Sequence, residues 1–184
     1  MGRIEELAEK FGRHIATPWQ QTIAGSQRVI MIVYEKELER TLRERKGLFE
    51  EASRAADHEW REVDVTSSFA RWLGSDDYAE AYFEYPDDVA LRLESEYPRV
   101  VADEIRSALQ QAGRNSVVAL IGVGSLFGLA RVSAVLRLIE SDIEGRLVVF
   151  YPGQFENNKY RLLDATDGFN YMAVPIVLHG GGEE

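Results

Sequence analysis

The stretch VVALIGVGSLFG, residues 117–128, decides how the chain is read. An apolar run rich in β-branched residues ends in Gly122, Gly124 and Gly128. So short a run, apolar without alternation and closed by glycine, is the pattern of a strand buried on both faces. A strand of that kind needs helices on either side of its sheet. Working outward, RVIMIVYE (28–35) and GRLVVFYPG (145–153) repeat the pattern, and REVDV (61–65) and YMAVPIVL (171–178) read as two more strands.

The segments between them carry the helical period. Ile4, Leu7, Phe11 and Ile15 share one stripe before TPWQ (17–20). A charged helix is expected from about Lys36 to His58, with Leu38, Leu42, Phe49, Ala52 and Ala56 on one face and Arg45 interrupting that face. A third helix, largely buried, carries Leu129, Val132, Leu136, Ile139 and Ile143. Strands alternating with helices predict one α/β domain over residues 1–178: a mainly parallel sheet of about five strands, helices on both faces and a Rossmann-like or flavodoxin-like order, 2-1-3-4-5. Residues 66–112 read as a helical insertion punctuated by Pro86 and Pro98, and residues 179–184 as a flexible tail.

In that order the topological switch point falls between the strand ending at Glu35 and the one ending at Gly122. Glu35, Gly122, Gly124 and Ser125 are therefore the candidate nucleotide or anion site. The motif itself argues against a nucleotide. A dinucleotide fingerprint also needs an acid at the end of the following strand, which here ends FYPGQF, and no Gly-Lys-Ser or Gly-Lys-Thr of a phosphate loop occurs. The glycines read better as a tight strand-to-helix turn, and no cofactor is expected.

Other chemistry is thinly supplied. There is no cysteine, and His14, His58 and His179 lack the spacing of a zinc site. Glu35 and Asp64, at the ends of strands expected to be neighbours, form a weak acid pair for a nuclease without a nearby lysine. Ser125 in GSLFG is not a nucleophile elbow. With 31 acidic against 21 basic residues and a net charge of −10, broad binding to nucleic-acid phosphates is disfavoured, and no direct sequence-specific nucleic-acid binding is expected. No apolar run approaches a membrane span, and the acidic, amphipathic N-terminus is no signal peptide, so a cytoplasmic protein is expected.

Two stretches invite a binding role. Between Trp72 and Arg92 there is no cation, while Asp76, Asp77, Glu80, Glu84, Asp87 and Asp88 interleave with Tyr78, Tyr82, Phe83 and Tyr85. Aromatics anchor interfaces and surrounding acids steer a basic partner, although Phe83 and Tyr82 on a core face would explain the pattern equally well. In VVFYPGQFENNKYRLLD (148–164), Pro152 and Gly153 are expected to end the strand. Asn158, Tyr160 and Arg161 would then order the loop and shape the crevice, and turn chemistry alone also accounts for Asn157 and Asn158. Arg45 either extends its guanidinium to the surface or pairs with a buried acid or a partner.

RKGLFE (45–50), GVGSLFGLARVSAVL (122–136), GRLVVFYPG (145–153), YRLLD (160–164) and YMAVPI (171–176), in this order, closely resemble the BrxB proteins of bacteriophage exclusion (BREX) loci, from about Arg3 to Leu178. The resemblance implies a bacterial antiphage role beside a methyltransferase, a large ATPase and an alkaline-phosphatase-like protein, PglZ. It implies no established enzymatic activity. The function expected is a non-catalytic scaffold of that complex, binding the PglZ-like partner.

Overall fold

The structure, a computed structural model, describes residues 1–178, and the expected tail with His179 lies outside the described residues. The chain runs α1 (Arg3–Ile15), β1 (Val29–Tyr34), α2 (Glu39–Arg45), α3 (Gly47–Ala55), β2 (Glu59–Asp64), α4 (Ser68–Gly74), α5 (Ala79–Glu84), α6 (Pro86–Ser95), α7 (Tyr97–Gln111), β3 (Ser116–Ile121), α8 (Val132–Ile139), β4 (Arg146–Glu156), β5 (Lys159–Leu162) and β6 (Val174–Ile176). It is the expected α/β class: β1, β2, β3, β4 and β6 pair in parallel, and β5 adds to β4 as an antiparallel hairpin.

The strand order is β2-β3-β4-β1-β6, which corrects the expected 2-1-3-4-5. β1 does not neighbour β2 or β3. It pairs with β4 from Val29–Leu147 to Tyr34–Pro152, and with β6 on its other side. Burial accounts for the difference. β4, whose residues Arg146 to Gly153 are all buried, takes the centre between β3 and β1. β2, charged and largely exposed, lies at one edge, and the three-residue β6 closes the other. Right-handed crossovers then put helices on opposite faces, because the chain runs one way from β1 to β2 and back the other way through β3 to β4.

Alternation along each strand fills two cores. Ile30, Ile32, Val117, Ala119, Val148 and Phe150 pack under α1 and α3, where Phe49 meets Phe150 edge-on at 5.0 Å and Phe11 at 5.6 Å. Met31, Val33, Val118, Leu120, Val149 and Tyr151 pack under α7 and α8.

Three local expectations are corrected. The helix expected over 36–58 is a short 3-10 turn followed by α2 and α3, divided at Lys46, where the Phe49 N–H turns back to the Lys46 carbonyl at 3.0 Å. Gly47 opens α3, so the faces of the two helices do not form one continuous stripe. Arg45 consequently stands half-exposed and pairs with Glu5 of α1 at the surface. Second, β4 continues through Pro152 and Gly153 to Glu156. Pro152 is tolerated because it sits where the parallel register with β1 ends, and its carbonyl accepts the Leu163 N–H at 2.9 Å. Third, the glycines after β3 do not run into a helix. They open a 3-10 turn at Val123–Leu126, and α8 starts only at Val132.

Candidate functional site

The carboxyl edge of the sheet forms a small crevice of about 240 Å3, lined in part by Lys36, Arg43, Thr66, Gly122, Gly124 and Ser125. Of the residues expected there, Glu35 is absent from the lining. Its carboxylate accepts from Arg3 at 2.7 Å, and both side chains are more than half exposed. β4 lies between β1 and β3, so the switch-point geometry expected from the sequence is replaced by a crevice floored by Pro152. The same order separates Glu35 from Asp64 by three strand spacings, roughly 14 Å, too far for a shared metal or proton. Among the described residues, no group of three or more His, Asp or Glu is placed to hold a metal ion.

The polar groups of the crevice satisfy one another. Burial alone would raise the Asp64 carboxyl, but hydrogen bonds from the Thr66 hydroxyl and its N–H (2.9 Å), with Arg43 at 3.3 Å, hold it below the ordinary carboxylate range. Arg43 also donates to Glu39 at 2.9 Å and to Thr66 Oγ1 at 2.9 Å. Tyr34 donates to Glu39 from a phenol that burial and that carboxylate push up, and Lys36 pairs with Asp164. Ser125 Oγ donates to the Gly122 carbonyl at 2.6 Å, closing the turn on itself. Little is left to meet a ligand.

The segment 72–92 is different. Asp76 is taken up internally: it accepts the Tyr78 N–H at 2.8 Å and pairs with Arg92, whose guanidinium lies 5.4 Å from the Trp72 ring and 5.8 Å from Tyr82. Tyr82 belongs to the same cluster, its hydroxyl accepting from Arg92. The other aromatics face water: Tyr78 is 70%, Phe83 77% and Tyr85 63% exposed, and Leu91 on α6 75%. Asp77, Glu80, Glu84, Asp87 and Asp88 are exposed with them. The alternative in which Phe83 faces the core is therefore ruled out, since neither α5 nor α6 has a fully buried residue.

At the β4–β5 hairpin, Asn157 and Asn158 hold φ of 52° and 60°, the left-handed turn conformation asparagine tolerates. Tyr160 is fully buried, its ring 4.5 Å from Phe155 and 5.7 Å from Phe169, so it supports the hairpin by packing. Asn158 and Arg161 make no side-chain hydrogen bond among the described residues.

The two described histidines pack within the fold. His58 bonds Asn115 at 2.7 Å and stacks on Trp19 at 3.7 Å, and Arg146 lies 4.8 Å over the same indole. His14 is half-buried, and burial together with Arg146 lowers its pKa below the ordinary 6.5. The unfolded chain then binds this proton more readily than the folded one, so stability is full above 6.5 and declines as pH falls through that value toward the folded-state pKa. Unfolding midpoints compared at pH 7.5 and pH 5 should show a decline that His14→Gln reduces; equal declines in the two proteins would contradict it.

No helix among the described residues is long and apolar enough to cross a membrane. No curated protein and no solved structure matches the chain significantly. A family model described as BREX protein BrxB matches residues 79–176, from α5 to β6. That span holds the exposed Phe83, Tyr85 and Leu91, the turn after β3 and the β4–β5 hairpin; RKGLFE (45–50) lies outside it. The match covers just over half of the chain, and the chain belongs to the BrxB family of the BREX phage-defence systems.

Proposed function

We propose that the protein is a non-catalytic interaction component of a BREX defence complex, working in the cytoplasm and docking a basic face of the PglZ-like partner on its α5–α6 surface. The observation that carries this reading is the exposure of Tyr78, Phe83, Tyr85 and Leu91 among carboxylates on and beside two helices that have no fully buried residue. Large aromatics kept in water cost solubility, and they are the side chains that contribute most when an interface closes over them. The crevice reading, a nucleotide or anion sensor at Glu35, Gly122, Gly124 and Ser125, has less support, because Glu35 is paired elsewhere and the remaining polar groups are mutually satisfied.

The test is surface-binding kinetics with the purified PglZ-like protein of the same locus. Tyr78→Ala with Tyr85→Ala should weaken binding about a hundredfold, mostly through faster dissociation. Asp77→Lys with Asp87→Lys should slow association and flatten its salt dependence. Wild-type kinetics from both folded variants would place the interface elsewhere.

A further inference from the structure

A cleft lies at the mouth of α8 and the β5 hairpin. It has a volume of about 530 Å3, and Arg131, Ser133, Tyr151, Lys159 and Arg161 are among its lining residues. Three features set it apart. First, Arg131, Lys159 and Arg161 have neither an ion pair nor a side-chain hydrogen bond among the described residues, whereas most other cations of this acidic chain are paired. Lys159 sits opposite Glu156 in the hairpin register without forming an ion pair to it. Asp167 is the acid in the lining, against three cations. Three cations against one acid leave a local excess of positive charge that an anion would neutralise.

Second, α8 opens at this cleft with no side-chain cap at Arg131. The first-turn N–H groups of Val132 and Ser133, both lining residues, have no intrahelical acceptor, and the helix dipole adds partial positive charge there. Third, the Tyr151 side chain is fully buried against the cleft, and its hydroxyl has no hydrogen-bond partner. The Tyr97 and Tyr160 hydroxyls are likewise buried without a partner, and of the three tyrosines it is Tyr151 that lines the cleft. The loop after β5 lies close over the cationic stems: a side chain at Gly168 would stand 3.0 Å from Lys159 Cβ and 3.2 Å from Arg161 Cγ. Phe127, 49% exposed, supplies an aromatic surface in the same lining.

We infer that this cleft binds the phosphoryl group of a small phosphate, either inorganic phosphate or a nucleoside monophosphate. Arg131, Lys159, Arg161 and the first turn of α8 hold the anion, and the Tyr151 hydroxyl, closed off from solvent in the free protein, turns to donate to it. The volume is within the range of small-molecule sites, about 300–1,000 Å3, and accommodates a nucleoside with its base against Phe127. The site differs from the glycine crevice: its cations come from Arg131, just before α8, and from Lys159 and Arg161 of β5, none of which lines that crevice.

Calorimetric titration of the full chain with inorganic phosphate, AMP and adenosine tests the assignment. Phosphate and AMP should bind and raise the unfolding midpoint, and adenosine should not. AMP binding tighter than phosphate assigns the site to a nucleotide; equal affinities assign it to the phosphate ion. Arg131→Ala and Arg161→Ala should each weaken binding about tenfold and steepen no unfolding transition. Tyr151→Phe should weaken it by up to about tenfold without lowering the midpoint of the free protein, since it removes an unpaired hydroxyl. No binding of either phosphate to the folded wild type, or unchanged affinity in the two arginine variants, overturns the inference. The result is independent of partner docking, because neither Tyr78 nor Tyr85 lines the cleft.

Discussion

Gly122→Val should destabilise the protein by roughly 4 kcal/mol, enough to unfold a substantial fraction of a marginally stable domain. Gly122 has φ +90°, a region that side chains with a Cβ rarely adopt. A Cβ there would stand 2.3 Å from Thr66 Oγ1, 2.8 Å from Asp64 Oδ1 and 2.8 Å from the Thr66 backbone nitrogen. The clash falls on the groups that keep Asp64 ionised and bonded to Arg43, so backbone strain, overpacking and lost hydrogen bonds act together. Gly124→Ala is a fitting control. Its Cβ would meet Pro152 Cγ at 3.3 Å from a backbone with no positive φ, and it should cost less than about 1.5 kcal/mol. Urea denaturation of the two variants measures the contrast, and equal midpoints would show that the turn after β3 yields freely.

Asp76→Lys should cost about 3 kcal/mol and loosen the whole α5–α6 hairpin, whereas Asp77→Lys should leave stability unchanged within about 0.5 kcal/mol. The Asp76 side chain is only 10% exposed, and it joins Arg92 to the N–H of Tyr78 beside the rings of Trp72 and Tyr82. Its replacement leaves the guanidinium without this counter-charge and introduces a second cation against it. Arg92 is about one-third exposed, and water screens part of that penalty, which keeps the figure below that of a fully buried pair. Hydrogen exchange across residues 76–96 should rise in Asp76→Lys alone. Fast exchange in both variants, or in neither, would contradict the separate roles assigned to these adjacent acids. The distinction matters for any partner assay, because Asp76→Lys loses binding by losing the surface and Asp77→Lys only by losing its charge.

Much of the candidate surface was legible from local pattern. Six acids interleaved with aromatics and free of cations marked 72–92 as unusual, and Pro86 and Pro98 marked where its helices begin. Which aromatics serve the fold was not legible. Tyr78, Tyr82, Phe83 and Tyr85 differ little as residues, and the fold separates them by bringing Arg92 back onto Asp76 and Tyr82. The phosphate cleft left no motif at all, since Arg131 stands just before α8 and Lys159 and Arg161 on β5, and Tyr151 reads as one more apolar strand residue. Its one sequence signal was that NNKYRLL places two cations beside a turn.

The sequence by itself determined the α/β class, the existence of the central strands β1, β3 and β4, and the family. Unbroken apolar runs bounded by turn residues satisfy only strands covered on both faces, and that requirement is local. Strand order was decided by the tertiary structure alone. Backbone ladders are nearly blind to side-chain identity, so nothing within RVIMIVYE states whether its neighbour is VVALI or RLVVFY; the choice follows from which arrangement buries the longest apolar strand at the centre and leaves the charged one at the edge. Charge pairing followed the same logic. Glu35 and Asp64 each end a strand and look alike in the sequence, yet one meets Arg3 in water and the other Arg43 and Thr66 in a crevice, because electrostatic partners are set by distances that only the assembled sheet defines.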